Sequence, residues 1–222
     1  GLIPTGSADP YALRRCAIGV LNTILDRGYQ VSIPELVEQS LGLLEEKLNR
    51  PRAEVQADVV EFIRLRLANM LTSRDFAADV VDAVLSARFD EPGDAVARVE
   101  ALAALKTAAD FEPLAVAFKR VGNIIKGGVD NPVQADLFEA DCERALSAAI
   151  ESARQNIADQ VNKGDYGAAL QTIAALREPV DAFFDGVMVM ADDEKVKANR
   201  LALLTQVAGL FADIADFTRI AA

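Results

Sequence analysis

Alanine, the residue that most favours the α-helix, occurs 39 times among the 222 residues of the chain. Apolar residues recur with the 3.6-residue period of a helix, whereas the strict alternation typical of strands is scarce. Glycine and proline fall mostly between these periodic stretches rather than inside them. The sequence therefore predicts an all-α protein.

The order of the helices predicts two packed helical bundles. Five periodic stretches precede residue 106, and a second group starts from Asp110, a residue type that often caps a helix N-terminus. We place the domain boundary there, with one helical domain over residues 1–108 and a second over residues 109–222. Within these domains, Ser32 and Glu35 have capping-box spacing, and Gly28 is a predicted helix stop.

The apolar positions of each helix predict its buried face. In the first helix this stripe includes Cys16 and Val20, and in the second it includes Leu36 and Leu44. We interpret both cysteines as buried, reduced thiols, which favours a cytoplasmic location. The Phe183–Phe184 pair and the VMVM run at residues 187–190 are interpreted as core, with a partner surface as the alternative.

Several classes of chemistry are excluded or disfavoured. The chain has no histidine, which excludes imidazole bases, Ser-His-Asp and Cys-His nucleophiles and histidine-containing zinc sites. The glycine pair at 127–128 fits neither common phosphate-binding pattern, and the acidic run at 192–194 is typical of a helix start. We expect no catalytic and no metal-binding residue. The longest conspicuous uncharged run, residues 201–212, is too short to cross a membrane.

Basic residues are the remaining candidates for a functional site. Lys119, Asn123 and Lys126 are spaced i, i+4, i+7 with Arg120 alongside, so one helix face presents three cations and an amide. Residues 195–200 carry a second basic group, which includes Lys197 and Arg200. Solvated faces balanced by nearby acids are the alternative. Since the net charge is −11, a polyanion needs locally clustered cations, which favours a folded RNA over DNA.

Three stretches resemble the beta subunit of the bacterial heterotetrameric glycyl-tRNA synthetase. They are PTGSADPYALRR at residues 4–15, FKRVGNII at 118–125, and VDAFFDGVMVM at 180–190 continued by NRLALL at 199–204. Their order and spacing fit that family over essentially the whole chain. The resemblance implies the C-terminal part of a longer subunit, and the absence of an initial methionine agrees with that expectation.

The resemblance implies a function as well as a fold. Under this resemblance, the second domain of the chain is similar to the DALR-type anticodon-binding domain shared with arginyl-tRNA synthetase. We therefore expect the chain to bind the anticodon arm of glycine tRNA. The implied enzyme is a glycine–tRNA ligase of two alpha and two beta subunits. The alpha subunit would hold ATP, magnesium and glycine, and this chain would need no cofactor. The expected tRNA-binding residues are Lys119, Arg120, Asn123, Lys126, Lys197 and Arg200.

Two alternatives remain open. One is the anticodon-binding domain of an arginyl-tRNA synthetase, which is the same broad class of protein. The other is a helical protein-interaction scaffold for subunit assembly, whose apolar patches would bind other subunits. Neither a membrane nor DNA is an expected partner.

Overall fold

The computed structural model describes residue 9 and residues 11–125 and 131–221 of the chain. Every regular element in these ranges is a helix, so the all-α prediction is confirmed. The chain divides into two compact units, Gly1–Val99 and Glu100–Ala222. The boundary expected from the sequence, between residues 108 and 109, lies further along the chain.

Unit 1 is built around its longest helix. Its elements are α1 (Leu13–Arg27), α2 (Ile33–Leu43), α3 (Arg52–Thr72), α4 (Ala78–Ala87) and the first part of α5 (Pro92–Lys106). Helices α1, α2 and α4 each pack against α3. The apolar core between them includes Ile24 of α1, Val37 of α2 and Val55 of α3.

Unit 2 begins within α5 and contains five further α-helices, which are α6 (Phe111–Ile124), α7 (Asp141–Asn162), α8 (Tyr166–Ala174), α9 (Arg177–Gly186) and α10 (Glu194–Gly209). Helix α7 packs against α8, α9 and α10, and α6 packs against α9 and α10. A 3₁₀ turn over Phe217–Arg219 returns to contact α6. This return places the end of unit 2 beside the helix that carries the predicted basic face.

Local capping signals set several helix ends. The Ser32 side chain accepts a hydrogen bond from the backbone N–H of Glu35 at 3.2 Å and starts α2. Gly28 ends α1 in the left-handed region with φ of 65°, a conformation that costs glycine little. Asp193 accepts hydrogen bonds from the backbone N–H groups of Lys195 and Val196, so the acidic run starts α10 as predicted.

The buried stripes are narrower than the sequence predicts. In α1 the buried positions are Ala17, Leu21 and Ile24, whereas Cys16 is exposed, so its predicted burial is wrong. Cys16 precedes Ala17 by one residue, and one residue turns a helix by about 100°, away from α3. Leu36 is likewise exposed, because α2 meets α3 along Ile33, Val37 and Leu41, which are spaced i, i+4, i+8. Val20 and Leu44 are exposed as well.

In the part of the chain that the structure describes, no helix combines the length and the apolar composition that a bilayer span requires.

Candidate nucleic-acid interface

Helix α6 is strongly two-sided, and its inner face anchors it in unit 2. The buried positions are Phe111, Leu114, Ala115, Ala117, Phe118 and Val121. The ring of Phe118 lies 5.1 Å from that of Phe211 and 5.5 Å from that of Phe217, between ring centroids. Three mutually packed aromatic rings fix the rotation of α6 about its axis, because turning the helix would expose them. The outer face is therefore held in a defined orientation.

The outer face of α6 lines a shallow groove of about 560 Å³. We call this surface the α6 groove; its lining residues are Val116, Lys119, Arg120, Asn123 and Ile124. Arg120 and Asn123 are exposed, and the half-buried Lys119 places its Nζ 3.5 Å from the backbone oxygen of Ile220. The structure thus brings three of the predicted tRNA-binding residues together on one surface.

Arg120 stands at the edge of the α6 groove and is stacked on an aromatic ring. Its guanidinium carbon lies 3.9 Å from the centroid of the Phe184 ring in α9. At this distance the cation is attracted to the ring face, which holds the guanidinium plane in place while leaving Arg120 exposed to solvent. Phe184 itself is buried and in edge contact with Phe183.

Beyond Arg120 a second recess of about 440 Å³ adjoins the groove. We call it the methionine recess; it is lined by Arg120, Ile124, Phe184, Val187, Met188, Val189 and Met190. Met188 is 75% exposed and Met190 54% exposed, so the interpretation of the VMVM run as core is wrong for both methionines. Val189, between them, is buried.

The charge of this surface is opposite to that of the chain. Among the described residues that line the α6 groove and the methionine recess, none is acidic, although the net charge of the chain is −11. A third recess in unit 2, of about 470 Å³, is lined partly by Asp110 and Glu178. Local cation clustering without carboxylates is what an acidic protein needs to hold a phosphate backbone.

Of the other predicted site residues, Lys197 and Arg200 do not line the α6 groove. Lys126 lies outside the described residues. Lys197 belongs to α10, where its Nζ lies 3.2 Å from Oε2 of Glu194, one turn earlier on the helix. Lys197 lines neither the α6 groove nor the methionine recess.

Arg200 has an internal role. It is only 6% exposed and its Nε donates to Oε1 of Glu143, a fully buried carboxylate, at 2.9 Å. Its two remaining nitrogens donate to Oε2 of Glu139 at 2.9 Å and to the backbone oxygen of Met188 at 3.0 Å. Arg200 therefore holds the backbone of the segment that lines the methionine recess, and its guanidinium is bonded within the protein interior.

Glu143 connects this network to the start of α7. Its Oε2 accepts the backbone N–H groups of Glu139 and Ala140, each at 2.8 Å. Burial alone would raise the pKa of Glu143, but the hydrogen bonds from Arg200 and from these two backbone groups lower it below its ordinary value. The carboxylate is thus held ionised opposite the arginine.

Asn199, the neighbour of Arg200, makes a second link of the same kind. Its side-chain oxygen accepts the backbone N–H of Gln134 at 2.7 Å, and its side-chain nitrogen donates to the backbone oxygen of Gln134 at 2.9 Å. The amide therefore acts as a backbone-like partner for a loop that has no neighbouring strand. Together Asn199 and Arg200 tie α10 to the segment before α7.

The sequence does not identify Phe184, Met188 and Met190 as site residues. Phe184 contacts a residue 64 positions earlier in the chain, and no local pattern predicts such a pair. The FFDGVMVM run is the available signal, since two methionines in a short run suit an adaptable surface as well as a core. In the described ranges, no group of three or more cysteine, aspartate or glutamate side chains could hold a metal ion.

Two family models match the chain, one in each unit. Residues 1–86 match the glycyl-tRNA synthetase beta subunit family, and residues 114–222 match the DALR anticodon binding domain family. The second match contains the α6 groove and the methionine recess.

Curated relatives match over the whole chain. The chain is 61% identical over 222 residues to the glycine–tRNA ligase beta subunit of Syntrophotalea carbinolica and 54% identical over 222 residues to that of Geobacter metallireducens. It is 47% identical over 219 residues to the corresponding subunit of Syntrophus aciditrophicus. These matches cover 99–100% of this chain and 32% of each relative. The chain thus belongs to the glycyl-tRNA synthetase beta subunit family, and its second unit carries a DALR anticodon-binding domain.

Proposed function

We propose that unit 2 of this chain binds the anticodon arm of glycine tRNA, within a glycine–tRNA ligase whose alpha subunit carries out aminoacylation. The chain spans about a third of the length of its curated relatives, 32% in each case, so the activity of the complete enzyme is itself part of this proposal. We assign ATP, magnesium and glycine to the alpha subunit, with two alpha and two beta subunits in the enzyme.

The observation that carries the proposal is the α6 groove. Lys119, Arg120 and Asn123 lie side by side on the unit that matches the anticodon-binding family, and no described lining residue is acidic. Lysine and arginine neutralise phosphates and set the position of an RNA, whereas an amide can donate to and accept from the edge of an unstacked base. The groove therefore has both types of group that RNA recognition requires.

The remaining predicted residues are Lys126, Lys197 and Arg200, and each requires its own test. The contacts of Lys126 and Lys197 with tRNA stay predictions, which alanine variants of each can test. For Arg200 we propose an indirect role, because a guanidinium that is 6% exposed and bonded to two carboxylates is poorly placed to reach a phosphate.

The test is tRNA binding by the assembled ligase with Lys119 and Arg120 both replaced by alanine. We expect the Kd for glycine tRNA to rise by at least about tenfold, and the slope of log K against log salt to become shallower by about 1.4, because two phosphate contacts are lost. Glycine activation by the alpha subunit should be unchanged, as measured by glycine-dependent pyrophosphate exchange.

Arg154→Ala is the matched control. Arg154 is an exposed arginine of the same unit that pairs with Glu151 on α7 and lines neither recess. Its loss should leave the Kd and the salt slope unchanged. Unchanged binding in the double variant would refute the assignment of the tRNA site to the α6 groove.

A second candidate function, protein contact within the enzyme, is favoured by the surface of unit 1. Eight large apolar side chains are exposed in the described part of unit 1, against three in that of unit 2. On α2 they include Leu36 and Leu43, the latter 88% exposed. We propose that this face packs against the rest of the beta subunit, since an uncovered apolar patch is costly in a soluble protein. Replacing both leucines by serine should lower the yield of assembled ligase without changing the Kd for tRNA.

A further inference from the structure

The exposed apolar side chains of unit 2 are gathered in one place. Within the described ranges, the large apolar residues of this unit that remain exposed are Val116, Met188 and Met190. Val116 lines the α6 groove, and the two methionines line the adjoining methionine recess. All three therefore surround Arg120, which lines both recesses.

The arrangement around Arg120 suits a flat aromatic ligand. Its guanidinium lies over the Phe184 ring, with 3.9 Å from the guanidinium carbon to the ring centroid. The arginine is nevertheless exposed, so a second planar group can stack on it from the solvent side. Thioether side chains such as those of Met188 and Met190 make favourable contacts with aromatic rings and adapt to their shape.

The neighbouring polar groups narrow the class of ligand. Lys119 and Asn123 lie on the same side of α6 as Arg120, and no described residue of either recess carries negative charge. An aromatic group that arrives attached to a phosphate satisfies both the cations and the apolar recess. A nucleotide whose base has left its stack is such a group.

We infer that the methionine recess binds one unstacked base of the tRNA anticodon loop, stacked on the guanidinium of Arg120 and packed against Met188 and Met190. This inference rests on the proposed function and adds to it the position and the chemical nature of a single subsite. Arg120 then has two roles: its charge neutralises a phosphate and its plane supports a base.

The two roles of Arg120 can be separated by substitution. Arg120→Lys keeps the positive charge but removes the planar group, whereas Arg120→Ala removes both. With the assembled ligase and intact glycine tRNA, we expect Arg120→Lys to weaken binding by about tenfold, a typical loss for one base stack. The slope of log K against log salt should stay that of the unmodified enzyme, since the charge is retained.

The same measurement with altered RNA identifies the base. A set of glycine tRNAs, each with one abasic nucleotide in the anticodon loop, should include one that the unmodified enzyme and the Arg120→Lys variant bind equally well. With the other members of the set, the tenfold difference should persist. Arg177→Lys is the matched control, because Arg177 lines a different recess of unit 2 and pairs with Asp181 on α9.

A variant of the recess wall gives an independent reading. Met188→Ser combined with Met190→Ser should weaken binding of intact tRNA and have no effect with the same abasic tRNA. Both side chains are largely exposed, so the fold should tolerate the change, which circular dichroism can verify.

The outcomes distinguish the two proposals. If Arg120→Ala and Lys119→Ala together leave binding unchanged, the assignment of the tRNA site to the α6 groove, which carries the proposed function, is refuted. If Arg120→Ala weakens binding but Arg120→Lys does not, or no abasic position removes the difference, the α6 groove stands and the base subsite is refuted. If the serine variant impairs assembly with the alpha subunit and leaves RNA binding intact, the methionine recess is a protein contact and the inference is overturned.

Discussion

The two units each bury one arginine, and the comparison shows two ways of satisfying a charge in an interior. In unit 1, Arg98 is fully buried; it donates to Asp94 four residues earlier and to the backbone oxygens of Val84 and Arg88. These three partners lie within 14 residues of Arg98 along the chain. In unit 2, Arg200 reaches Glu143 and Glu139, which are 57 and 61 residues away.

The two arginines consequently have different structural roles. Arg98 donates to the backbone oxygens of Val84 and Arg88 at the end of α4 and so joins two helices that are consecutive in the chain. Arg200 joins α10 to the start of α7 and to the segment that lines the methionine recess. A local arginine thus completes a helix pair, whereas a long-range arginine helps to shape a candidate binding surface.

The largest expected effect comes from removing these charges. Arg200→Met leaves Glu143 buried and without its cation, which should lower the free energy of unfolding by about 3–5 kcal/mol. Arg98→Met should cost less, about 1–3 kcal/mol, because Asp94 is partly exposed and keeps Arg88 as a partner at 2.9 Å. Urea unfolding followed by circular dichroism measures the change in the free energy of unfolding for each variant. Hydrogen exchange followed by mass spectrometry shows which helices lose protection.

A double variant sharpens the comparison. Adding Glu143→Gln to Arg200→Met removes the unpaired charge and should restore part of the lost stability, a coupling that is absent when Glu143→Gln is combined with Arg98→Met. Equal losses for the two single arginine variants would contradict the distinction between them.

An intermediate effect is expected at two glycines. Gly122 of α6 lies so close to the 3₁₀ turn that an added Cβ would be 2.7 Å from Cγ2 of Thr218. Thr218 is held by a 2.6 Å hydrogen bond from its hydroxyl to Asp216, so it cannot turn away freely. Gly122→Ala should therefore destabilise unit 2 by about 1–3 kcal/mol.

Gly19 of α1 is the matched position in unit 1. An added Cβ there meets nothing within 4 Å, so Gly19→Ala should stabilise the protein by about 0.5–1 kcal/mol through helix propensity alone. Thermal unfolding of both variants measures the two effects. A stabilising Gly122→Ala would show that the contact between α6 and the 3₁₀ turn is loose.

The smallest effect concerns pH. The pKa of Glu143 lies below the ordinary value of 4.5, so its contribution to stability is complete above that pH and is lost as the pH falls through the lowered pKa. The stability advantage of the unmodified protein over Glu143→Gln should therefore shrink as acid is added. In unit 1 the pKa of Glu61 is lowered mainly by its hydrogen bond with Arg64 on the surface, so Glu61→Gln should change the pH profile less.

Urea titrations of the three proteins at a series of pH values between about 2 and 7 test this difference. A difference in the free energy of unfolding between the unmodified protein and Glu143→Gln that stays constant across the series would contradict this prediction. It would mean that the pKa of Glu143 is the same in the folded and the unfolded protein.

Much of α6 was predictable from the sequence. The burial of Leu114, Phe118 and Val121 follows from the 3.6-residue period, and the same period places Lys119 and Asn123 on the outer face. Periodicity predicts such a face because a helix repeats within four residues. It says nothing about what stands opposite, so the stacking of Arg120 on Phe184 was not predictable.

The exposed methionines show the same limit of prediction from local sequence. A run of four apolar residues at 187–190 fits a core, and hydrophobicity alone cannot distinguish a core strand segment from a surface recess. The structure ends α9 at Gly186, and in the segment beyond it Val189 is buried while Met188 and Met190 are exposed.

By itself, the sequence determined that the chain is helical, where α1 ends and where α2 and α10 begin, and that one face of α6 is basic, because these properties depend on residues within a turn or two of each other. Only the tertiary structure decided that Arg200 is buried against Glu143 and that Arg120 is stacked and exposed. Both arginines lie inside a helix, each between a polar residue before it and an apolar residue after it. Their environments differ because packing brings distant segments to one of them and leaves the other facing water.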